Sequence, residues 1–207
     1  MRRRLRWWAL LSMLLLLGSG LPPTAVAQTE GAWATYRFES ALKRTAPVVY
    51  KEVGPGGEVT WRVAEETVSP APLYVTYAVV KASATEYTLQ VATSLEADGP
   101  PLSVTQIVVD RKTGKAKQSV IRRPKGLIGT VENELRPFRE AGLPGGIREE
   151  VQVAAGRFTA LRAPHKDGTV WVSDQVPAIG LVKAVFPHGT LELVRSAASG
   201  AKDLLRF

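Results

Sequence analysis

The chain contains no cysteine, only two histidines, and just five each of Trp, Tyr and Phe in 207 residues. Without cysteine there are no disulfides, thiolate metal sites or thiol nucleophiles, and no acylated cysteine to anchor an exported lipoprotein. The histidines, His165 and His188, stand beside Asp or Gly in turn-like sequence, with no His-x-His or His-x-x-x-His pairing to set metal geometry. Ser173, His165 and Asp174 could be drawn as a triad, but Ser173 lacks the Gly-x-Ser-x-Gly elbow that exposes a nucleophile. Glu65-Glu66 and Glu149-Glu150 put neighbouring carboxylates on opposite faces of a strand, where they cannot converge on one bond. The glycine runs match no Walker or dinucleotide fingerprint. No catalytic residue, metal ligand or cofactor is expected, and the chain reads as a non-enzyme.

Long hydrophobic runs are also scarce. One stands out, from Trp7 to Leu17, interrupted only by Ser12. It follows the basic start Arg2-Arg3-Arg4-Leu5-Arg6 and precedes Gly18-Ser19-Gly20, Pro22-Pro23 and the small-x-small site Ala25-Val26-Ala27. A membrane span needs about 20 apolar residues, so this stretch predicts a cleavable signal peptide over 1–27, with Gln28 as the new N-terminus. The expectation is an exported protein, periplasmic or secreted, with no transmembrane anchor after cleavage. The remaining 28–207 fits a single β-rich domain, able to bury about 70% of its unfolded surface. Removing four arginines with the leader leaves 23 Lys plus Arg against 19 Asp plus Glu, a charge of +4 rather than +8. That excess is too weak for a nucleic-acid partner.

Alternation at period two runs along most of this domain and predicts half-buried antiparallel strands. Ala34, Tyr36 and Phe38 share a face, as do Val59, Trp61 and Val63, and again Tyr87, Leu89 and Val91. Leu73 to Val80 and Ser103 to Val109 are apolar on both faces, as expected of strands that sit centrally or are covered on both sides. Gly54-Pro55-Gly56-Gly57, Asp98-Gly99-Pro100-Pro101, Asp110 to Gly114, Lys166-Asp167-Gly168 and Pro187-His188-Gly189 punctuate these runs as turns. The predicted fold is mainly β: a curved antiparallel meander of about eleven strands, forming a half-barrel or barrel. One stretch departs from period two. Leu127, Val131 and Leu135 recur at four-residue spacing, predicting a short helical insertion near 127–141, capped by Thr130 and stopped by Pro137 and Gly142.

Two candidate surfaces follow. If the sheet curls without closing, its concave face can accept a lipid-like or other apolar ligand, lined by Trp61, Tyr77, Leu127, Val131, Leu135, Phe158 and Trp171. Arg111, Lys112, Lys115, Lys117, Arg122 and Arg123 form the densest basic cluster. They read either as a solvated hairpin that discourages edge pairing or as a patch for an anionic surface. No aromatics interleave them, which argues against single-stranded nucleic acid.

Val153-Ala154-Ala155-Gly156-Arg157-Phe158, Val170-Trp171-Val172-Ser173 and Val176-Pro177-Ala178-Ile179-Gly180-Leu181-Val182-Lys183 follow one another near the C-terminus. This order resembles exported bacterial β-domain proteins of uncharacterised function, themselves similar to the LolA/LolB-like lipoprotein-carrier class. The resemblance implies a curved antiparallel sheet around helical plugs, holding acyl chains, and supplies scaffold rather than catalytic residues. The expected function is an extracytoplasmic, non-enzymatic protein binding an apolar ligand on the concave sheet face. Two alternatives are an envelope protein-interaction module using the basic hairpin and a sheet edge, and a small outer-membrane β-barrel. Outer-membrane strands need aromatic girdles, for which 15 aromatics, two of them in the leader, are too few.

Overall fold

Tyr36 and Phe38, alternating with Arg37 and Glu39, belong to the strand around which the rest is arranged. A computed structural model describes residues 28–123, 126–127, 143, 145–165 and 168–205. The expected leader and most of the expected helical insertion lie outside these residues. Thirteen strands are described: β1 (Trp33–Ser40), β2 (Arg44–Val53), β3 (Val59–Val68), β4 (Leu73–Ala82), β5 (Glu86–Ser94), β6 (Ser103–Asp110), β7 (Ala116–Arg123), β8 (Gly126–Leu127), β9 (Ile147–Val153), β10 (Gly156–His165), β11 (Gly168–Val172), β12 (Leu181–Phe186) and β13 (Gly189–Ala197).

Eleven of them form one antiparallel sheet in the order β8-β7-β6-β5-β4-β1-β13-β12-β11-β10-β9, while β2 and β3 pair only with each other. The outermost strands β8 and β9 do not pair, so the sheet is not a closed barrel. Nor is it one meander. The chain leaves β1 into the β2–β3 ribbon, returns as β4 beside β1, and runs outward to β8. It then resumes at the opposite edge with β9 and runs inward to β13 on the other side of β1. Alternation reports which residues share a face but carries no information on strand order, which is why β1 could not be recognised as the central strand.

The registers carry the alternation across the sheet. Tyr36 stands opposite Val75 on one side and Leu193 on the other, and Phe38 opposite Leu73 and Leu191. Tyr36, Val79, Val109, Val170, Val172, Leu181 and Leu193 are all essentially inaccessible. The Tyr36 and Tyr77 rings meet edge to face at 5.7 Å, a favoured aromatic geometry. The Ser173–Gly180 link adds Val176, Ala178 and Ile179 to this core. Ala155 N–H donates to the Leu193 carbonyl at 3.2 Å although β13 is no sheet neighbour of β9 or β10. The sheet therefore curls back on itself at that side.

The other face is covered by the residues after β13. Ala201 N–H donates to Gly31 O, and Trp33 Nε1 to Ser199 O. Gln90 Nε2 donates to Lys202 O, and Gln90 Oε1 accepts from Leu204 N–H and from Gln106 Nε2. Gln106 Nε2 also donates to Asp203 Oδ1 at 2.6 Å. This strap explains why β5 is buried on both faces, with Gln90 and Ala92 inaccessible as well as Tyr87 and Leu89.

Candidate functional site

The β2–β3 ribbon grows from sequence that favours a hairpin: two β-branched, alternating runs joined by Gly54-Pro55-Gly56-Gly57. Gly54 N–H donates to Glu58 O, and Gly57 takes a φ of 82°, a left-handed conformation that suits glycine. The pairing Val53↔Val59, Lys51↔Trp61, Val49↔Val63 and Pro47↔Glu65 places these residues on one face. Glu52, Tyr50, Arg62 and Glu66 share the other.

The two faces are satisfied differently. On the polar face Arg62 pairs with Glu52 at 2.8 Å and lies over the Tyr50 ring at 5.2 Å. The Tyr50 hydroxyl is hydrogen-bonded to Glu66, which raises the phenol above its ordinary pKa. The apolar face meets water: Val49, Val53, Val63 and Trp61 are 59%, 64%, 64% and 66% exposed. Isolated two-stranded hairpins are marginal in water, and apolar patches on them mark sites of interaction.

Exposed apolar side chains extend from the ribbon onto one end of the sheet. Leu42 follows β1, Leu95 and Leu102 bound the β5–β6 loop, Ile147 starts β9, and Val185 stands near the end of β12. The registers put all five at the end from which the ribbon leaves. Among the described residues, no large exposed apolar side chain lies at the opposite end, and Leu204 of the strap is the one found elsewhere.

The opposite end carries the β6–β7 turn and much of its expected basic cluster. Arg111 is spent on structure: Nε donates to Ser83 O at 2.8 Å, the guanidinium holds Gln28 O and Oε1 at 3.0 and 3.2 Å, and it lies over the Tyr87 ring. Lys117 sits between Asp110 at 3.2 Å and Glu86 at 3.4 Å, and these bonds raise its pKa. The backbone N–H of Thr113 and then Lys117 pull Asp110 down to about 2. Lys112 and Lys115 remain exposed. Arg122 and Arg123 lie at the far end of β7, roughly 17–20 Å along the strand from Lys117. The six residues do not form one patch.

The expected apolar lining is also dispersed. Trp61 is on the ribbon, outside the large sheet, whereas Tyr77 is buried against Tyr36. Trp171 pairs across strands with Arg162 and Lys183; its Nε1 donates to Glu149 at 2.6 Å, and Lys183 lies 6.0 Å from its ring. Phe158 is half-buried opposite Val151. Leu127 belongs to β8, while Val131 and Leu135 lie outside the described residues. His165 and Ser173 fall beyond opposite ends of β11, so their trio does not assemble. His188 stacks on Phe186 at 5.4 Å. Among the described residues no three His, Asp or Glu side chains gather as a metal site, and no helix is long and apolar enough to cross a membrane.

Lys51, Val49 and Val53 are not singled out by the sequence and Glu65 enters it only as half of a dismissed acidic pair; all four join Trp61 only through the β2–β3 register. The Gly-Pro-Gly-Gly turn between two alternating runs was the signal that could have found them.

No family model matches the chain, and no solved structure matches it. A segment is similar to Lon protease 2 of Bacillus subtilis, at 28% identity over 134 residues, covering 56% of this chain and 24% of that protein. The chain thus spans about a quarter of the length of this curated relative, and so partial a likeness carries neither family membership nor the protease's activity to it.

Proposed function

We propose that this is an exported, non-enzymatic interaction protein of the cell envelope, whose working surface is the ribbon and the adjoining end of the sheet. The observation that supports this reading is the polarity of exposed apolar side chains. They gather on the ribbon and at Leu42, Leu95, Leu102, Ile147 and Val185, while the other end is closed by hydrogen-bonded, ion-paired turns. Large apolar side chains left in water at one end indicate a partner surface. The concave-face ligand reading has weaker support, because Trp61, Tyr77 and Trp171 do not converge on a common space.

The test is a photo-crosslinking residue placed in turn at Trp61, Leu102 and Thr113 of the protein produced in its own host. Adducts heavier than the monomer are expected at Trp61 and Leu102 and not at Thr113. Adducts at Thr113 alone would overturn the assignment of the working end.

A further inference from the structure

We infer that the apolar face of the ribbon is a self-complementary surface whose occupant is a second copy of this chain, packed face to face and tip to base. This rests on the reading of the ribbon end as a docking surface and goes beyond it by naming the partner.

Three observations carry it. The first is area: at the exposures above and with Val59 47% exposed, Val49, Val53, Val59, Val63 and Trp61 leave about 500 Å² of residue surface open per copy. Two copies would bury about 1,000 Å², the lower bound for a specific interface.

The second is charge. The only ionised groups on this face are Lys51 and Glu65, and they stand in rows on either side of the Val49/Val63 row. A twofold axis along that row lays each copy's Lys51/Trp61 row over the other's Pro47/Glu65 row, with sheets about 10 Å apart. Each lysine then reaches a carboxylate across the width of the ribbon, twice per dimer. The opposite orientation, tip over tip, would bring the two bodies together at one end and leave the two Glu65 carboxylates beside each other.

The third observation argues against an anionic membrane as the occupant. From Arg44 to Val68 three cations face four carboxylates, a net charge of −1. The apolar stripe therefore lacks the basic flank that such a surface requires.

The experiment is sedimentation of the exported protein over a concentration series, for the wild type, K51E and E65K, and for an equimolar mixture of the two variants. Both positions are solvent-exposed, and a β-type circular dichroism spectrum confirms that each variant is folded. The expected result is a wild-type monomer–dimer equilibrium, association weakened about tenfold or more in each variant, and wild-type strength regained on mixing. Regain follows because in the mixed dimer both crossing pairs join opposite charges. A wild type still monomeric at about 100 μM, where an interface of this size should associate, would overturn the proposal. So would a mixture that associates no better than its components. Monomers accompanied by crosslinks to another molecule at Trp61 would overturn self-association alone and leave the docking end standing.

Discussion

Removing a single oxygen from Tyr36 tests whether the interior is dry. The Tyr36 hydroxyl, fully buried, donates to the Leu181 carbonyl at 2.8 Å and so ties β1 to β12, two strands that are not neighbours in the sheet. Tyr36→Phe keeps the ring and its contact with Tyr77, leaving the Leu181 carbonyl without this donor. A buried acceptor without a partner costs about 1–3 kcal/mol, whereas one that water can reach costs little. For a domain of this size each kcal/mol lowers the midpoint by about 2–4 °C, so a loss of about 1.5 kcal/mol should appear as roughly 3–6 °C. Urea and thermal unfolding of the protein would measure it, with Tyr74→Phe, a half-buried control, expected to stay within about 0.5 kcal/mol. A Tyr36→Phe loss below about 0.5 kcal/mol would refute the reasoning, since the carbonyl would then be rehydrated through a wet or ligand-sized opening.

The same burial sets an alkaline limit. Desolvation raises the pKa of Tyr36 and Tyr77, and the unfolded chain releases these protons near the ordinary value of 10.0. Stability is therefore full below pH 10 and falls above it, by about 1.4 kcal/mol per pH unit for each phenol still protonated in the fold. A pH series of urea midpoints should show a shallower decline for Tyr36→Phe, and equal slopes would contradict the assignment. At the acid side Asp110 is depressed to about 2 from 3.8, so its contribution is present above pH 4 and lost as pH falls from 4 to 2. D110N should remove that part of the acid dependence, and an unchanged melting profile between pH 5 and 2 would show that the turn does not need the charge. Ala178 holds a φ of 64° while its methyl is buried. Ala178→Gly relieves about 1–2 kcal/mol of left-handed strain and forfeits about 0.8 kcal/mol of burial, plus glycine's chain entropy, so a near-neutral change within about 1 kcal/mol is expected by chemical denaturation. Gln106→Ala should loosen the strap, exposing the backbone amides of 201–205 to faster hydrogen exchange while those of β12 stay protected. Uniform acceleration would mean that the strap is not a separate unit.

Period two made the mainly β, antiparallel character legible, because alternation is local, and the alternating runs read from the sequence fall in β1, β3 and β5. The two-sided apolar runs fall in β4 and β6, both interior strands of the sheet; β4 is buried on both faces over Tyr77–Val80, whereas one face of β6 is only partly covered. What covers a face is not local. Tyr87, Leu89 and Val91 alternate with Thr88, Gln90 and Ala92 as a one-sided strand should, yet Gln90 is buried because residues more than 100 positions later supply its hydrogen bonds. Val59, Trp61 and Val63 show the same pattern with the opposite outcome, an ordered apolar face that nothing in the described chain covers. The basic cluster was a cluster only in sequence. Arg111 and Lys117 had carboxylates and carbonyls waiting across the β4–β5 and β6–β7 turns, and β7 carries Arg122 and Arg123 away from them.

That contrast between β5 and β3 bears on function. Both strands have one face that a core-forming strand would hide, and the chain hides it for β5 with a strap closed by the two glutamines and Asp203. For the ribbon the described chain supplies no such strap, although it pairs polar groups on the other face through Glu52–Arg62, Tyr50–Glu66 and the Arg62–Tyr50 stack. A link needed only as a connector could be a short turn, since β1 and β4 are antiparallel neighbours and β1 ends at the same end of the sheet where β4 begins. Instead the chain extends ten residues out and ten back, keeps four valines and a tryptophan in register on one side, and sets one lysine and one glutamate in alternate rows among them. Exposed apolar area of this extent works against solubility unless it is covered. A surface that covered the ribbon would have to present its complement: apolar at the centre, with one carboxylate and one ammonium about 13 Å apart. The ribbon itself presents that pattern when turned end for end.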